Sequence, residues 1–155
     1  MLQPGTPFPV FSLPDQNETT HSLKDFSGKW TAVYCYPKDN TSGCSLEAQN
    51  FAALFSSFTN RGATVLGISA DSPQSHCKFA AKFSLPFVLL SDTEHRLLEA
   101  LGVWQKKKMA GKEFMGIVRS TFLVDTEGVI RFVWTKVKVA GHAEAVYAKL
   151  QELRP

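Results

Sequence analysis

Apolar positions along the chain fall into short runs separated by polar text rich in Gly and Pro. Ala32-Val33-Tyr34-Cys35-Tyr36 carries no charge and consists largely of strand formers, so residues 31–36 read as a strand buried on both faces. Pro37 ends its ladder, and residues 38–43 are polar and turn-rich. From Ser45 the period changes: Phe51, Leu54, Phe55 and Phe58 stand at i, i+3, i+4 and i+7, which predicts a helix over 45–60. Arg61-Gly62 breaks that helix, and residues 64–69 form a second buried strand, which completes a βαβ unit.

Upstream, residues 9–13 and 20–23 are short strand candidates joined by the turn text Asp15-Gln16-Asn17-Glu18, an added β edge. Downstream, Ser72 can cap a helix with Pro73 at its first position, running to about Phe83 and carrying Cys77 and Phe79. Leu85-Pro86 ends it, and residues 87–90 are strand-like. Ser91-Asp92-Thr93-Glu94 reads as a capping box before a helix over 95–101, with Gly102 at its end. Residues 117–124 and 129–134 are apolar β runs joined by Asp125-Thr126-Glu127-Gly128, a hairpin. A final helix over 141–153 puts Ala143, Val146, Tyr147, Leu150 and Leu153 on one face. This order predicts an α/β fold over residues 1–155 as a single domain. It resembles the thioredoxin-like order: a central mixed sheet flanked by helices, with an inserted strand-helix region and an N-terminal β extension.

Composition narrows the class. With 155 residues, 44% hydrophobic and 20% charged, the chain fits one core; a domain of this size buries about 70% of its unfolded surface. The formal charge of +3 is spread without the long basic runs of a nucleic-acid tail. No basic segment leads into an apolar stretch at the N-terminus, and no run approaches the ~18 apolar residues of a membrane span. A cytoplasmic protein is expected. His21, His76, His95 and His142 show no ligand spacing, and nucleotide-binding glycine motifs are absent, so neither metal nor cofactor is expected. Lys106-Lys107-Lys108 with Lys112 reads as a solvated basic loop, and Trp104, Phe114 and Met115 as core or the rim of a site.

Three cysteines, Cys35, Cys44 and Cys77, are too few and odd in number for a secreted disulfide framework, which points to redox chemistry. Cys44 is delivered to a helix start, where unpaired N–H groups and the helix dipole favour a thiolate. A plain cysteine is a few per cent thiolate at neutral pH, so full ionisation gains only about thirty-fold. The remaining acceleration needs donors that favour the transition state, and Thr41 and Pro37 stand three and seven residues before the sulfur.

The pattern Pro37-x-x-x-Thr41-x-x-Cys44 resembles the active-site signature of the peroxiredoxins, thiol peroxidases that reduce hydroperoxides with a cysteine. The wider text Tyr36-Pro37-Lys38-Asp39-Asn40-Thr41-Ser42-Gly43-Cys44, with Gly116-Ile117-Val118-Arg119-Ser120-Thr121-Phe122-Leu123-Val124-Asp125, is similar to the bacterioferritin-comigratory-protein or peroxiredoxin Q branch. The resemblance implies that Cys44 attacks the peroxide, Thr41 orients it, and Pro37 shields the thiolate and fixes the loop. It places Arg119, read here as lying in an apolar strand, beside the thiolate, with Glu47 available to hold the guanidinium. Many members of this branch carry a resolving cysteine where this chain has Gln49; others place it in the next helix, where Cys77 fits. Cys35, inside the buried strand, reads as packing. The resemblance further implies a hydroperoxide substrate, thioredoxin or a similar dithiol reductant, no cofactor, and a monomer. Two rivals remain at this point. A thioredoxin-like disulfide exchanger is disfavoured because Thr41 stands where its first cysteine belongs, and a holdase finds no support in a normal apolar content.

Overall fold

A computed structural model describes residues Met1–Pro155. β1 (Ser12–Pro14) and β2 (Thr20–Ser22) form an antiparallel hairpin outside the main sheet. Its turn is held by the Asp15 carboxylate, which accepts the backbone N–H groups of Asn17 and Thr19.

β3 (Trp30–Cys35) is buried at every position, as its charge-free text requires. α1 (Ser42–Asn60) crosses from it to β4 (Ala63–Ser69), which lies parallel to β3 with Cys35 opposite Ile68. α2 (Pro73–Phe83) leads to β5 (Val88–Ser91), parallel to β4. After α3 (Arg96–Leu101) comes a separate antiparallel pair, β6 (Trp104–Met109) and β7 (Lys112–Ile117). β8 (Ser120–Val124) then returns antiparallel along β3, β9 (Ile130–Trp134) pairs with β8, and α4 (His142–Leu153) ends the fold. The five-stranded order is β5-β4-β3-β8-β9, so β3 is central and the connections diverge on its two sides.

The pleat divides the interior in two. Ala32 and Tyr34, with Tyr36 just beyond the strand, point to one face and pack against Phe51, Phe58, Phe79 and Val146 from the helices α1, α2 and α4. Val33 and Cys35 point to the other, against Phe8, Phe11, Leu98 and Leu101. Tyr34 lies flat between Tyr36 and Phe51, with ring centroids 5.4 and 4.7 Å away. Gly67 in β4 makes that possible: a Cβ there would lie 2.7 Å from Leu89 Cδ2 and 3.0 Å from Tyr34 Cζ.

Three expectations change. Residues 117–124 are not one strand: Val118 and Arg119 link β7 to β8, with the Val118 N–H donating to Val103 and the Arg119 carbonyl accepting from Val137. Arg119 is therefore free of the ladder that would have turned its side chain along a sheet face. The basic stretch is the β6–β7 hairpin, which the sequence hides because Lys106 to Lys108 give no apolar alternation. Trp104 stacks on His95 at 3.7 Å, while Phe114 and Met115 are exposed. Residues 91–94 do not form a capping box. Ser91 ends β5 with its hydroxyl unpaired, and Asp92 instead accepts the Leu98 N–H at 2.8 Å.

Candidate active site

The site forms where β3 ends. Antiparallel register sets Cys35 opposite Ser120, so Arg119, one residue before β8, is level with Tyr36, one residue after β3. The loop 37–41 then turns into α1, which begins three residues earlier than its apolar period indicates. Thr41 takes the N-cap position; its carbonyl accepts the Ser45 N–H, and its hydroxyl donates to the Lys38 carbonyl at 2.9 Å instead of capping the helix. Cys44 falls in the first turn, among N–H groups that have no intrahelical partner. Such a position at the carboxyl end of a central strand is where open α/β sheets place their ligands.

Cys44 is 1% exposed, and Glu47, one helical turn further, is equally buried. Arg119 reaches both. Its Nη1 donates to Glu47 Oε1 at 2.6 Å and its Nη2 to Cys44 Sγ at 3.2 Å. The planar fork of the guanidinium allows two such bonds at once, which a lysine cannot match. Gly43 keeps the approach open, since a Cβ there would lie 3.3 Å from Arg119 Nη2. Burial opposes the Arg119 charge, but Glu47 and Cys44 outweigh it and hold its proton more tightly than usual. Burial pushes the Glu47 carboxyl up to about 7 although Arg119 pulls it the other way, and Glu47 Oε2 has no partner. One fixed cation thus contacts both the buried thiol and the buried carboxyl. His142 of α4 is also near: it pairs with Thr121 Oγ1 at 2.8 Å, and burial together with the Arg119 charge lowers its pKa to about 4.

Of the residues singled out in the sequence, Cys44, Glu47 and Arg119 are in direct contact, with Thr41 and Pro37 in the loop beside them. Cys77 is not joined to them; it lies on the exposed face of α2, and all three cysteines are free thiols. Cys35 is fully buried on the opposite face of the sheet, where burial drives its thiol pKa far up. The sequence reading missed a buried polar cluster behind the loop, built on Tyr36, Asp39, Ser69 and His76. Its available signal was the placement of His76 three residues before Phe79, on the inner side of α2. An apolar cavity of about 410 Å³, lined by Phe8, Phe11, Leu23, Phe26 and Leu66, lies on the face away from Cys44.

A buried cysteine at a helix start, bonded by an arginine on a thioredoxin-like sheet, defines the class of thioredoxin-fold thiol peroxidases. The chain belongs to the AhpC/TSA family, whose profile matches residues 4–133. It is 45% identical over 149 residues to the putative peroxiredoxin bcp of Coxiella burnetii, covering 96% of this chain and 99% of that protein. Identity to peroxiredoxin Bcp of Bacillus subtilis is 43% over 152 residues, or 98% and 97% of the two chains. Among solved structures, the bacterioferritin comigratory protein of Xanthomonas campestris, described for its alkyl peroxide reduction activity, superposes with a TM-score of 0.91 at 41% identity, covering 100% of this chain and 98% of the other. A cysteine-to-serine variant of Xylella fastidiosa PrxQ gives 0.95 at 38% identity, covering 100% and 99%. The chain is a peroxiredoxin, an enzyme of the thiol-dependent peroxidase class. No helix is long and apolar enough to cross a membrane.

Proposed function

We propose that Cys44 is the residue that meets the peroxide. Its thiolate attacks the terminal oxygen of ROOH, the O–O bond breaks, and the leaving RO⁻ takes a proton to depart as water or alcohol, with Cys44 left as a sulfenic acid. The observation that carries this reading is the Arg119 fork, 3.2 Å from Cys44 Sγ and 2.6 Å from Glu47 Oε1. It sets a permanent positive charge beside the sulfur and the oxygens that exchange electrons there. Thr41, whose proton is committed to Lys38, keeps lone pairs to accept the peroxide O–H. Pro37 has no N–H to draw water into the loop and fixes its entry.

Cys77 then displaces water from the sulfenic acid and forms a Cys44–Cys77 disulfide, the atypical two-cysteine route. Cα atoms in a disulfide lie within about 7 Å. A buried thiol in α1 and an exposed one in α2 reach that distance by unwinding of a helix start. A dithiol protein of the thioredoxin type reduces the disulfide and restores both thiols. The same reading makes the protein a one-domain, cytoplasmic monomer, with hydroperoxide and reductant as its only partners. Cys44→Ser should abolish peroxide consumption in the presence of thioredoxin and its reductase. Turnover near that of the parent would end this assignment.

A further inference from the structure

The buried cluster behind the active-site loop has no part in the chemistry above, yet it ties together the two segments that must open. Asp39, in the loop, is 6% exposed and His76, in the first turn of α2, is fully buried. Asp39 Oδ2 lies 2.7 Å from His76 Nδ1 and accepts the Ser75 hydroxyl at 2.8 Å; Oδ1 accepts the Tyr36 hydroxyl at 2.6 Å. The Asp39 backbone N–H donates to Asp71 Oδ2, which also accepts the Ser69 hydroxyl at 2.7 Å. His76 Nε2 faces the Leu90 carbonyl at 3.1 Å. His76 thus bridges the Asp39 carboxylate and the Leu90 carbonyl through its two ring nitrogens. At the far end of α2, Lys82 donates to Asn40 Oδ1 at 3.2 Å.

Both Asp39 carboxylate oxygens, both His76 ring nitrogens and Asp71 Oδ2 have hydrogen-bond partners. The consequence is mechanical. Removing the partners of a buried carboxylate leaves its oxygens unsatisfied, a far larger cost than each hydrogen bond's own net contribution. Unwinding the first turn of α2 carries His76 and Ser75 away from Asp39, and the loop then holds a buried carboxylate with two of its hydrogen-bond partners gone. Movement of the loop likewise strips His76 of its carboxylate. Neither segment opens cheaply alone. His76 directly precedes Cys77, and Asp39 lies two residues before Thr41.

We infer that Asp39 and His76 are positioning residues whose buried pairing makes the loop before Cys44 and the first turn of α2 open as one unit. Its consequence for catalysis rests on the Cys44–Cys77 reading; the coupling itself does not. Both sulfurs are released together, and the pairing sets how often that occurs.

Backbone amide exchange on the reduced protein tests the coupling without any turnover. In the parent, amides of residues 38–45 and 74–79 should share one opening rate and one denaturant dependence. Asp39→Asn, His76→Gln and the milder Ser75→Ala, which deletes a single bond to Asp39, should each speed exchange about tenfold or more in both segments. Acceleration confined to the segment bearing the substitution would overturn the proposal. Rapid mixing supplies the second readout. Conversion of sulfenic acid to disulfide should quicken in Ser75→Ala by the same factor as the exchange, while Cys44 oxidation stays within about threefold of the parent. Equal changes in both steps would show general destabilisation and count against a positioning role. If the parent forms no Cys44–Cys77 disulfide, the resolving assignment fails and the exchange result alone decides the coupling.

Discussion

Replacing Arg119 by Met keeps much of the side-chain volume and removes both ends of the fork. Two consequences follow from the geometry. Cys44 Sγ loses a charged donor at 3.2 Å, and Glu47, 1% exposed, is left with both carboxylate oxygens unpaired. Deleting one donor from a preorganised anion site typically costs about 10²–10³ in rate. Here the bond to sulfur already exists before peroxide arrives, so part of it stabilises the ground state and does not accelerate the chemistry. The lower end is therefore expected, about a hundred-fold loss in single-turnover oxidation of Cys44. Arg119→Lys should fall between, about ten-fold slower, because a single ammonium cannot serve the sulfur and Glu47 together. Stranding Glu47 adds about 1–3 kcal/mol of destabilisation, so urea unfolding must accompany the kinetics to confirm that each variant is folded. The assay is rapid mixing of reduced protein with peroxide, following sulfenic acid by a trapping reagent. Oxidation of a folded Arg119→Met within about threefold of the parent rate would refute the electrostatic argument.

Cys77→Ser should complete one turnover at the parent rate and then stall as a trappable sulfenic acid, with thioredoxin-supported cycling lost; undiminished cycling would remove Cys77 from the mechanism. The same variant should convert to sulfinic acid at low peroxide, whereas the parent resists, since attack by Cys77 removes the sulfenic acid before a second peroxide reaches it. Intact mass across a peroxide titration reads this, and equal sulfinic acid in both proteins would contradict it. Stability should respond to pH through two opposed groups. Glu47, raised from 4.5 to about 7, binds more protons when folded, so its share is complete below 4.5 and is lost as pH rises through 7. His142, lowered from 6.5 to about 4, binds fewer, so its share is complete above 6.5 and is lost as pH falls through 4. Each amounts to about 3 kcal/mol, and they offset one another in the parent. Glu47→Gln should unmask the rise in stability from pH 4 to 6.5 due to His142, measured by urea unfolding; profiles identical to the parent would refute it.

What the sequence revealed depended on distance along the chain. β3 and α1 were legible because their periods are local, and α2 because Ser72 caps it through the Ser75 N–H and Pro73 opens it. The motif around Cys44 is local too. Arg119 was found only through resemblance, and its strand assignment failed because the apolar text runs on through Val118 while the backbone there bonds to Val103 and Val137. The β6–β7 hairpin was invisible since most of its residues are exposed, so no apolar alternation marks it. The Asp39–His76 pair joins residues 37 apart, and nothing in a one-dimensional pattern announces such a partner. His76 has no metal-ligand spacing in the sequence, yet in the fold its ring nitrogens meet Asp39 and Leu90.

The two-faced sheet also fixes the depth of each sulfur. Cys77 faces solvent, Cys44 is buried at the start of α1 with Arg119 bonded to it, and Cys35 lies on the other face of the sheet with its proton held by burial. A thiol-blocking reagent applied to the reduced protein therefore meets three barriers. It reaches the first sulfur directly, the second when the loop opens, and the third only when the strands part. Resolved by mass, the rates of a single labelling experiment become a clock with three hands, one each for the surface, the active-site loop and the whole fold.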